Sequence, residues 1–474
     1  MGQRVNSVAS VTMDAIVLCP SCEHQNAFDV QFCVVCRTPL ARGRHVTNEK
    51  ADDLYMKRRA EAGRRRIVRW ALVALVLLGV GGWTGYRTLG GPGPPVSDIS
   101  ASPAPGDWPM YRRGPSHSAF VSEGVPIPEG RVRWRFETKA PFLSSPAVVQ
   151  GTVYLSTGDG RVVALEAETG GLIWEHEVTG PVNSSPAVAG DLVLVGLRDG
   201  RLLALDRADG KTRWEFFTGN PIYSSPSVYR GVAYLGSSDA RLYALDAVTG
   251  KKRWSYLTGG TVQASAAVNE DVVAVTSLDR HLYILDANTG KHRLDLVMSS
   301  TGLSPALDEE LAYVADTRGL LMAIDWKKQQ LPFEKTARWV RLQLLAWGLV
   351  GSIPPQKGVV WSFWRPGESF VGPPVVGAGM VYVAAASGAV YALDRSDGHL
   401  VWGFVADAKI TGSPSIAGQT LYVGDAEGGL YGIDILTGET TWRFWAADSV
   451  TSTAVPANGM LYVATASGTL YAIR

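Results

Sequence analysis

The four cysteines of the 474-residue chain stand at positions 19, 22, 33 and 36, and their spacing points to metal binding rather than redox chemistry. Cys19-Pro-Ser-Cys22 and Cys33-Val-Val-Cys36 are two knuckles separated by ten residues. Each brings two thiolates onto one turn, and two such turns can converge four sulfurs on a tetrahedral Zn²⁺. A redox dithiol needs one knuckle, not a matched pair. With all four places filled, the zinc is expected to be structural, and His24 is read as a loop histidine. The other groups able to do chemistry are less promising. Asp159, Asp199, Asp239 and Asp279 recur at intervals of 40 residues, and Asp206, Asp246, Asp286, Asp394 and Asp434 recur beside a second turn. Repetition assigns both sets to turn geometry. His117, His176, His281, His292 and His399 fall at unrelated positions, and no nucleophile with an adjacent base stands out. A net charge of +1 gives no footprint for nucleic acid.

The acids recur because most of the chain is one sentence written repeatedly. Trp134, Trp174, Trp214 and Trp254 are 40 residues apart, and Ser145, Ser185, Ser225 and Ser265 keep the same step. Within a unit, apolar residues alternate in short runs, as in Val232, Tyr234 and Leu242, Ala244. Turn residues bound each run, such as Gly231, Asp199-Gly200 and Thr249-Gly250. That is the pattern of four short antiparallel strands. One such sheet cannot bury both faces, so the units must stack. The strand containing Glu166, Asp206, Asp246, Asp286, Asp325, Asp394 and Asp434 appears an eighth time as Ala472-Ile473-Arg474, where the chain stops. The eighth unit lacks its tryptophan strand, whereas Trp134 lies upstream with no unit of its own. Pairing the two completes the last sheet and removes an exposed edge. The expected fold is therefore all-β: an eight-bladed β-propeller closed by its N-terminal strand, over residues 107–474, with docking tryptophans at 134, 174, 214, 254, 361, 402 and 442.

The segment Ala244-Leu-Asp-Ala-Val-Thr-Gly-Lys-Lys-Arg-Trp254 resembles the tryptophan-docking repeat of the pyrroloquinoline-quinone (PQQ)-like propellers. That superfamily includes quinoprotein dehydrogenases and BamB-type subunits of outer-membrane barrel assembly. Asp107-Trp-Pro-Met-Tyr-Arg-Arg-Gly-Pro-Ser-His-Ser118 resembles the lead-in before the first blade of secreted members. The resemblance implies the fold; a propeller hosts unrelated functions. The dehydrogenases hold PQQ and Ca²⁺ at the axis with acidic ligands and, usually, a disulfide of adjacent cysteines. Here the propeller has no cysteine and its prominent acids are repeat positions, so PQQ is not expected. In this arrangement the strand after Ser-Ser-Pro is innermost. Leu143, Asn183, Tyr223, Gln263, Leu303 and Thr411 then rim one mouth of the channel, a neutral surface suited to a peptide or protein.

Residues 1–15 carry no usable pattern, and 16–40 form the expected ribbon. Around Phe32-Cys-Val-Val-Cys-Arg-Thr-Pro-Leu40 it resembles the zinc ribbons at the N-termini of many bacterial membrane proteins, but has Glu23 and Arg37 where glycine usually follows each knuckle. The charged stretch 41–66 ends in Arg64-Arg-Arg66. Residues 67–89 then read as a transmembrane helix: Trp70 to Tyr86 is uncharged and spans about 26 Å as a helix. Positive charge on its N-terminal flank places the ribbon in the cytoplasm and the propeller outside it. Thiolates for zinc then lie on the reducing side. Gly81 and Gly85 have the spacing of a helix-pairing motif, which would allow a homodimer. The Gly/Pro-rich stretch 90–106 reads as a spacer.

One irregularity breaks the ring. Tryptophan is replaced by Leu294, and after Asp325 the next tryptophan is delayed to Trp361 by an insertion, residues 327–357. Its Ala337–Val350 stretch is helical and too short to span a bilayer. Three roles are open: covering the joint that lacks its tryptophan, docking a partner, or touching the membrane surface through Trp339 and Trp347. Together these readings describe a single-pass protein of the cytoplasmic membrane that displays a non-catalytic, BamB-like propeller outside the cytosol to bind protein. The alternatives are a quinoprotein dehydrogenase-like enzyme and a sensor that reports an external ligand to the ribbon.

Overall fold

The computed structural model describes residues 15–21, 25–27, 30–33, 36–47, 94–100, 103–122, 128–352 and 355–474. They fall into two compact units divided after Gly91. In the first unit, strand Ala15–Leu18 lies between Gln25–Ala27 and Arg44–Thr47 in an antiparallel sheet. The ribbon expected to end at residue 40 therefore continues to Thr47, because the third strand pairs the free edge of the first. Val17, Cys19, Cys33 and Leu40 make its small core. Arg37 sits at φ 61°, in the left-handed region that explains the usual glycine after such a knuckle. No helix among the described residues is long and apolar enough to cross a membrane. The expected span 67–89 lies outside the described residues.

The second unit is a ring of eight sheets. Blade 1 comprises Ala147–Val149, Thr152–Ser156, Arg161–Glu166 and Leu172–Glu177, and blades 2 to 7 repeat that meander. The short first strands of successive blades touch one another and line the axis. Closure is as expected. Val132–Glu137 pairs antiparallel with the last strand, Thr469–Ile473, with Trp134 opposite Ala472. This is the register of Trp214 opposite Ala204 in blade 2, and both pairs break register one residue later. The orphan strand thus enters the eighth sheet as an ordinary fourth strand.

The tryptophans weld each blade to the next. Trp134 Nε1 donates to the Ala167 carbonyl at 2.8 Å, Trp254 to Ala287 at 3.0 Å and Trp402 to Ile435 at 2.9 Å. Tyr462, Tyr234 and Tyr382 donate to those same carbonyls. Under Trp134, Trp214, Trp254 and Trp402 lies the glycine of the following blade's Thr-Gly turn, and under Trp174 and Trp361 that of an Asp-Gly turn. Gly250 has φ 69°, and a Cβ there would come within 2.5 Å of the Trp214 ring. Glycine is required twice over, by backbone conformation and by contact.

The repeated serines have an equally specific duty. Ser145 N–H donates to Ser185 Oγ, Ser185 to Ser225 Oγ, Ser225 to Ser265 Oγ and Ser265 to Ser304 Oγ, all at 2.8–3.0 Å. Thr453 N–H donates back to Ser145 Oγ across the closure at 3.2 Å. The acids behave as turn residues. Asp199, Asp239 and Asp279 accept from the backbone two residues on, and Asp246 and Asp286 cap Thr249 and Thr289.

The irregular joint between blades 4 and 5 is resolved from the far side. Leu294 occupies the tryptophan position and is buried, and Trp326 is buried in the same core cluster, its Nε1 donating to Asp308 O within blade 5 at 3.2 Å. Gly358, at φ 86°, approaches Leu294 as the turn glycines approach tryptophan. The inserted helix, α1 (Glu334–Ala346), does not cover this joint: none of its residues is buried. The insertion is held by polar bonds. Gln356 exchanges two bonds with the Val297 backbone, Gln330 N–H donates to Arg293 O, and Lys335 pairs with the buried Asp295 at 2.7 Å.

The spacer is also partly committed. Val96 N–H donates to Asp246 Oδ2 and Gly231 N–H to Ile99 O, and Ile99 packs on the core of blades 2 and 3. Residues 94–100 thus lie against the propeller rather than forming free tether, because their carbonyls and apolar groups meet turn glycines that leave room for them.

Candidate functional site

The axis of the ring is the place where side chains from every blade can converge. One end of it is filled by residues 106–121. Gly106 O accepts from Asn458 of blade 8, Trp108 exchanges two bonds with Val148 of blade 1, and Pro109 O accepts from Val188 of blade 2. Pro115, Ser116 and Ser118 carbonyls accept from Val268, Leu307 and Val376 of blades 4, 5 and 6, and those of Ala119 and Val121 from Ile416 and Gly418 of blade 7. Blade 3 is reached through His117 Nε2 and Ser227 Oγ at 3.1 Å. A single non-repeating segment therefore ties all eight inner strands. Phe120–Val121 adds a parallel strand to blade 7.

Arg112 and His117 of this plug are buried, and Arg113 is half-buried. Arg112 is wholly inaccessible and donates to the carbonyls of Pro414 at 2.7 Å and Pro374 at 2.6 Å. Burial pulls its pKa down to about 10, which still leaves it cationic at neutral pH. His117, also inaccessible, contacts Pro305 O at 3.1 Å through Nδ1. Burial, and then the Arg112 charge, hold it down to about 3 against the pull of that carbonyl, so the imidazole is neutral. Arg112, Arg113, His117 and Ala119 all have positive φ, a conformation that persists only where surrounding contacts over-determine it. The sequence signal for this plug was the aromatic and basic Trp108–Ser118 stretch, which has no counterpart in any repeat.

The opposite mouth carries the expected rim. Leu143, Asn183, Tyr223, Gln263 and Thr411 occupy equivalent places before the inner strands, and Leu303 does so in blade 5, where one residue is missing before Ser304. Tyr223 lies under the Arg198 guanidinium at 5.6 Å. Thr411 donates to Val450 O at 2.7 Å. The Oδ1 of Asn183 is buried without a hydrogen-bond partner. Trp339 and Trp347 are elsewhere, on the insertion. Among the docking tryptophans, Trp174 and Trp361 donate to Arg207 O and Arg395 O, and Trp442 lies beside Gly130 at the start of the closing strand.

In the ribbon, the thiols of Cys19, Cys33 and Cys36 lie within 4.8 Å of one another, with Cys19 and Cys36 sulfurs 3.4 Å apart. Ser21 N–H donates to Cys19 Sγ at 3.4 Å. Cys22 lies outside the described residues. The other candidate cluster among the described residues, Asp394, Asp397 and His399, is on an outer turn and is internally paired, His399 Nδ1 lying 2.6 Å from Asp397.

Among solved structures, BamB from Moraxella catarrhalis is 18% identical, over 73% of this chain and 97% of its own, with a TM-score of 0.57. The computationally designed Ika8 protein is 14% identical over 71% and 97%, with a TM-score of 0.57. Quinohemoprotein alcohol dehydrogenase from Comamonas testosteroni is 16% identical over 78% and 81%, with a TM-score of 0.62. At such identities the likeness establishes the fold alone, and it embraces an enzyme as well as BamB. No curated protein matches. The family model described as outer membrane protein assembly factor BamB matches residues 123–331 and 348–474. With the closed ring and its tryptophan joints described above, this match over most of the sequence means that the chain belongs to the BamB-type, PQQ-like propeller family.

Proposed function

We propose that this protein is a membrane-anchored, non-catalytic propeller that presents its neutral rim, outside the cytosol, to a protein or peptide partner. The observation that carries the reading is the plug. At the plugged end the charged and ionisable groups that could bind a redox cofactor are already committed: Arg112 to two proline carbonyls and His117 to Pro305 and Ser227. The repeated acids serve turns, and the acid-bearing cluster found among the described residues lies off the axis. These residues do not fit PQQ with Ca²⁺. Anchoring rests on residues 67–89 and the basic flank before them. Residues 94–100 meet the propeller at turns on the side opposite the rim, so a chain arriving from a membrane would leave the rim facing away from it. In the ribbon, the three convergent thiols suit Zn²⁺, for which Zn–S bonds of about 2.3 Å are usual, with Cys22 as fourth ligand. Its role is structural.

The test is a photo-crosslinking residue placed at Gln263 and, separately, at Tyr223 in the full chain in its native membranes. A discrete protein adduct at both positions is expected. No adduct at either, with PQQ-dependent dye reduction by the same preparation, would overturn the reading in favour of the dehydrogenase-like alternative. The likeness to the quinohemoprotein alcohol dehydrogenase is what keeps that second reading in view.

A further inference from the structure

The insertion is foreign to the family. Residues 332–347, which contain α1, fall between the two stretches that the family model matches. Within the propeller α1 contributes nothing to a core. Its Glu334 pairs with Lys357 at 3.1 Å and its Lys335 with Asp295. Trp339, Val340 and Trp347, which share one side by helical spacing, are 59%, 43% and 70% exposed, and Leu349 is 66% exposed. Two exposed indoles on one helix that packs into no core mark a contact surface.

Two observations identify what covers it. The first is charge. Residues 327–357 hold six basic residues (Lys327, Lys328, Lys335, Arg338, Arg341, Lys357) and one acid, Glu334, and positive charge stays in excess after Lys328, Lys335 and Lys357 pair with Asp325, Asp295 and Glu334. Exposed tryptophan and leucine beside an excess of Lys and Arg is the composition of a helix lying in an anionic lipid interface. The second is position. The insertion replaces the turn between the third and fourth strands of blade 5, following Asp325. The equivalent turn of blade 3, at Asp246, receives the incoming chain at Val96. Both lie on the side of the ring opposite the rim. If residues 67–89 span the bilayer, five peptide steps separate residue 89 from residue 94, which is fixed near that side. Five steps reach at most about 18 Å, so this side is held close to the lipid headgroups.

We propose that α1 lies on the anionic lipid surface, with Trp339 and Trp347 inserted among the headgroups, and so gives the propeller a second membrane contact that fixes its tilt. This rests on the anchored reading above. The test uses the full chain reconstituted into phosphatidylcholine vesicles with and without phosphatidylglycerol, carrying the substitution Trp347→p-benzoylphenylalanine or, as a control on the rim, Gln263→p-benzoylphenylalanine. Irradiation should add a lipid mass to the peptide containing position 347, at least threefold more with phosphatidylglycerol present, and none to that containing 263. Alkaline carbonate washing of the same vesicles tests the anchor separately. A chain that resists carbonate but forms no lipid adduct at 347, or forms there only an adduct with a second copy, overturns the proposal and leaves the anchor standing. In native membranes, a protein adduct at 347 in place of lipid likewise overturns it. A chain stripped off by carbonate overturns the anchored reading and this proposal with it.

Discussion

Replacing Gly250 by alanine tests the blade joint, because the structure supplies its own control. Gly250 (φ 69°) has the Trp214 ring 2.5 Å from where a Cβ would lie, whereas Gly151 (φ 76°) has nothing within 4 Å of its Cβ position. Both substitutions carry the left-handed backbone penalty of about 1–2 kcal/mol. Only Gly250→Ala must also push an indole out of a packed joint, an overpacking cost of about 1–3 kcal/mol more. Gly250→Ala should therefore be the less stable by about 1–3 kcal/mol, seen as a lower thermal midpoint in parallel melts of the two full-length variants. Adding Trp214→Leu should cost Gly250→Ala less than it costs the parent, since the smaller side chain relieves the clash, much as Leu294 faces Gly358 naturally. Equal midpoints for the two glycine variants, or strictly additive losses in the double variant, would refute the claim that the indole rests on that glycine.

Other consequences follow from the plug and the ribbon. Arg112→Lys should lower the thermal midpoint despite keeping the charge, because one ammonium cannot match the planar fork that serves two carbonyls; an unchanged midpoint would place little weight on that residue. His117, held at about 3 in the fold against about 6.5 when unfolded, is neutral in the native state and takes up a proton on unfolding in between. Its stabilisation is complete above pH about 6.5 and falls by about 1.4 kcal/mol per pH unit as the pH drops towards 3. His117→Gln should flatten that slope in urea melts from pH 7 to 5, and an undiminished slope would assign the effect to other groups. The purified chain should carry one zinc by elemental mass spectrometry, lost on Cys19→Ser or Cys33→Ser without a shift in the propeller's melting transition.

The ring was legible because its determinants are local and repeated. A Thr-Gly turn, an indole 40 residues from the last, and a serine in register each report a contact with the next blade, so spacing alone carried tertiary information. Circular completion could be inferred by counting, since Trp134 had no sheet and Ile473 had no partner. The plug stood out as a non-repeating segment, but its place on the axis was not legible. Arg112 bonds to Pro374 and Pro414, 262 and 302 residues away, and nothing in its neighbourhood repeats. The insertion was legible as a helix but not in its disposition. Covering the vacancy at Leu294 was one of three roles open to the helix, whereas it is Trp326, at the turn just before the insertion, that is buried in the core cluster with Leu294. The helix is left joined by ion pairs with its apolar residues outward. Residues 94–100 misled for a simple reason: Pro- and Gly-rich composition signals the absence of regular structure, which is different from the absence of contacts.

The central proposal, that one end of the axis is filled by the chain's own plug and that the propeller does no redox chemistry, is tested most directly by titrating PQQ with Ca²⁺ into the purified full-length protein under isothermal calorimetry, with dye reduction by an alcohol followed in parallel. No saturable heat and no dye reduction above the protein-free rate are expected. One equivalent of PQQ bound, with alcohol-dependent dye reduction that survives removal of residues 327–357, would contradict it.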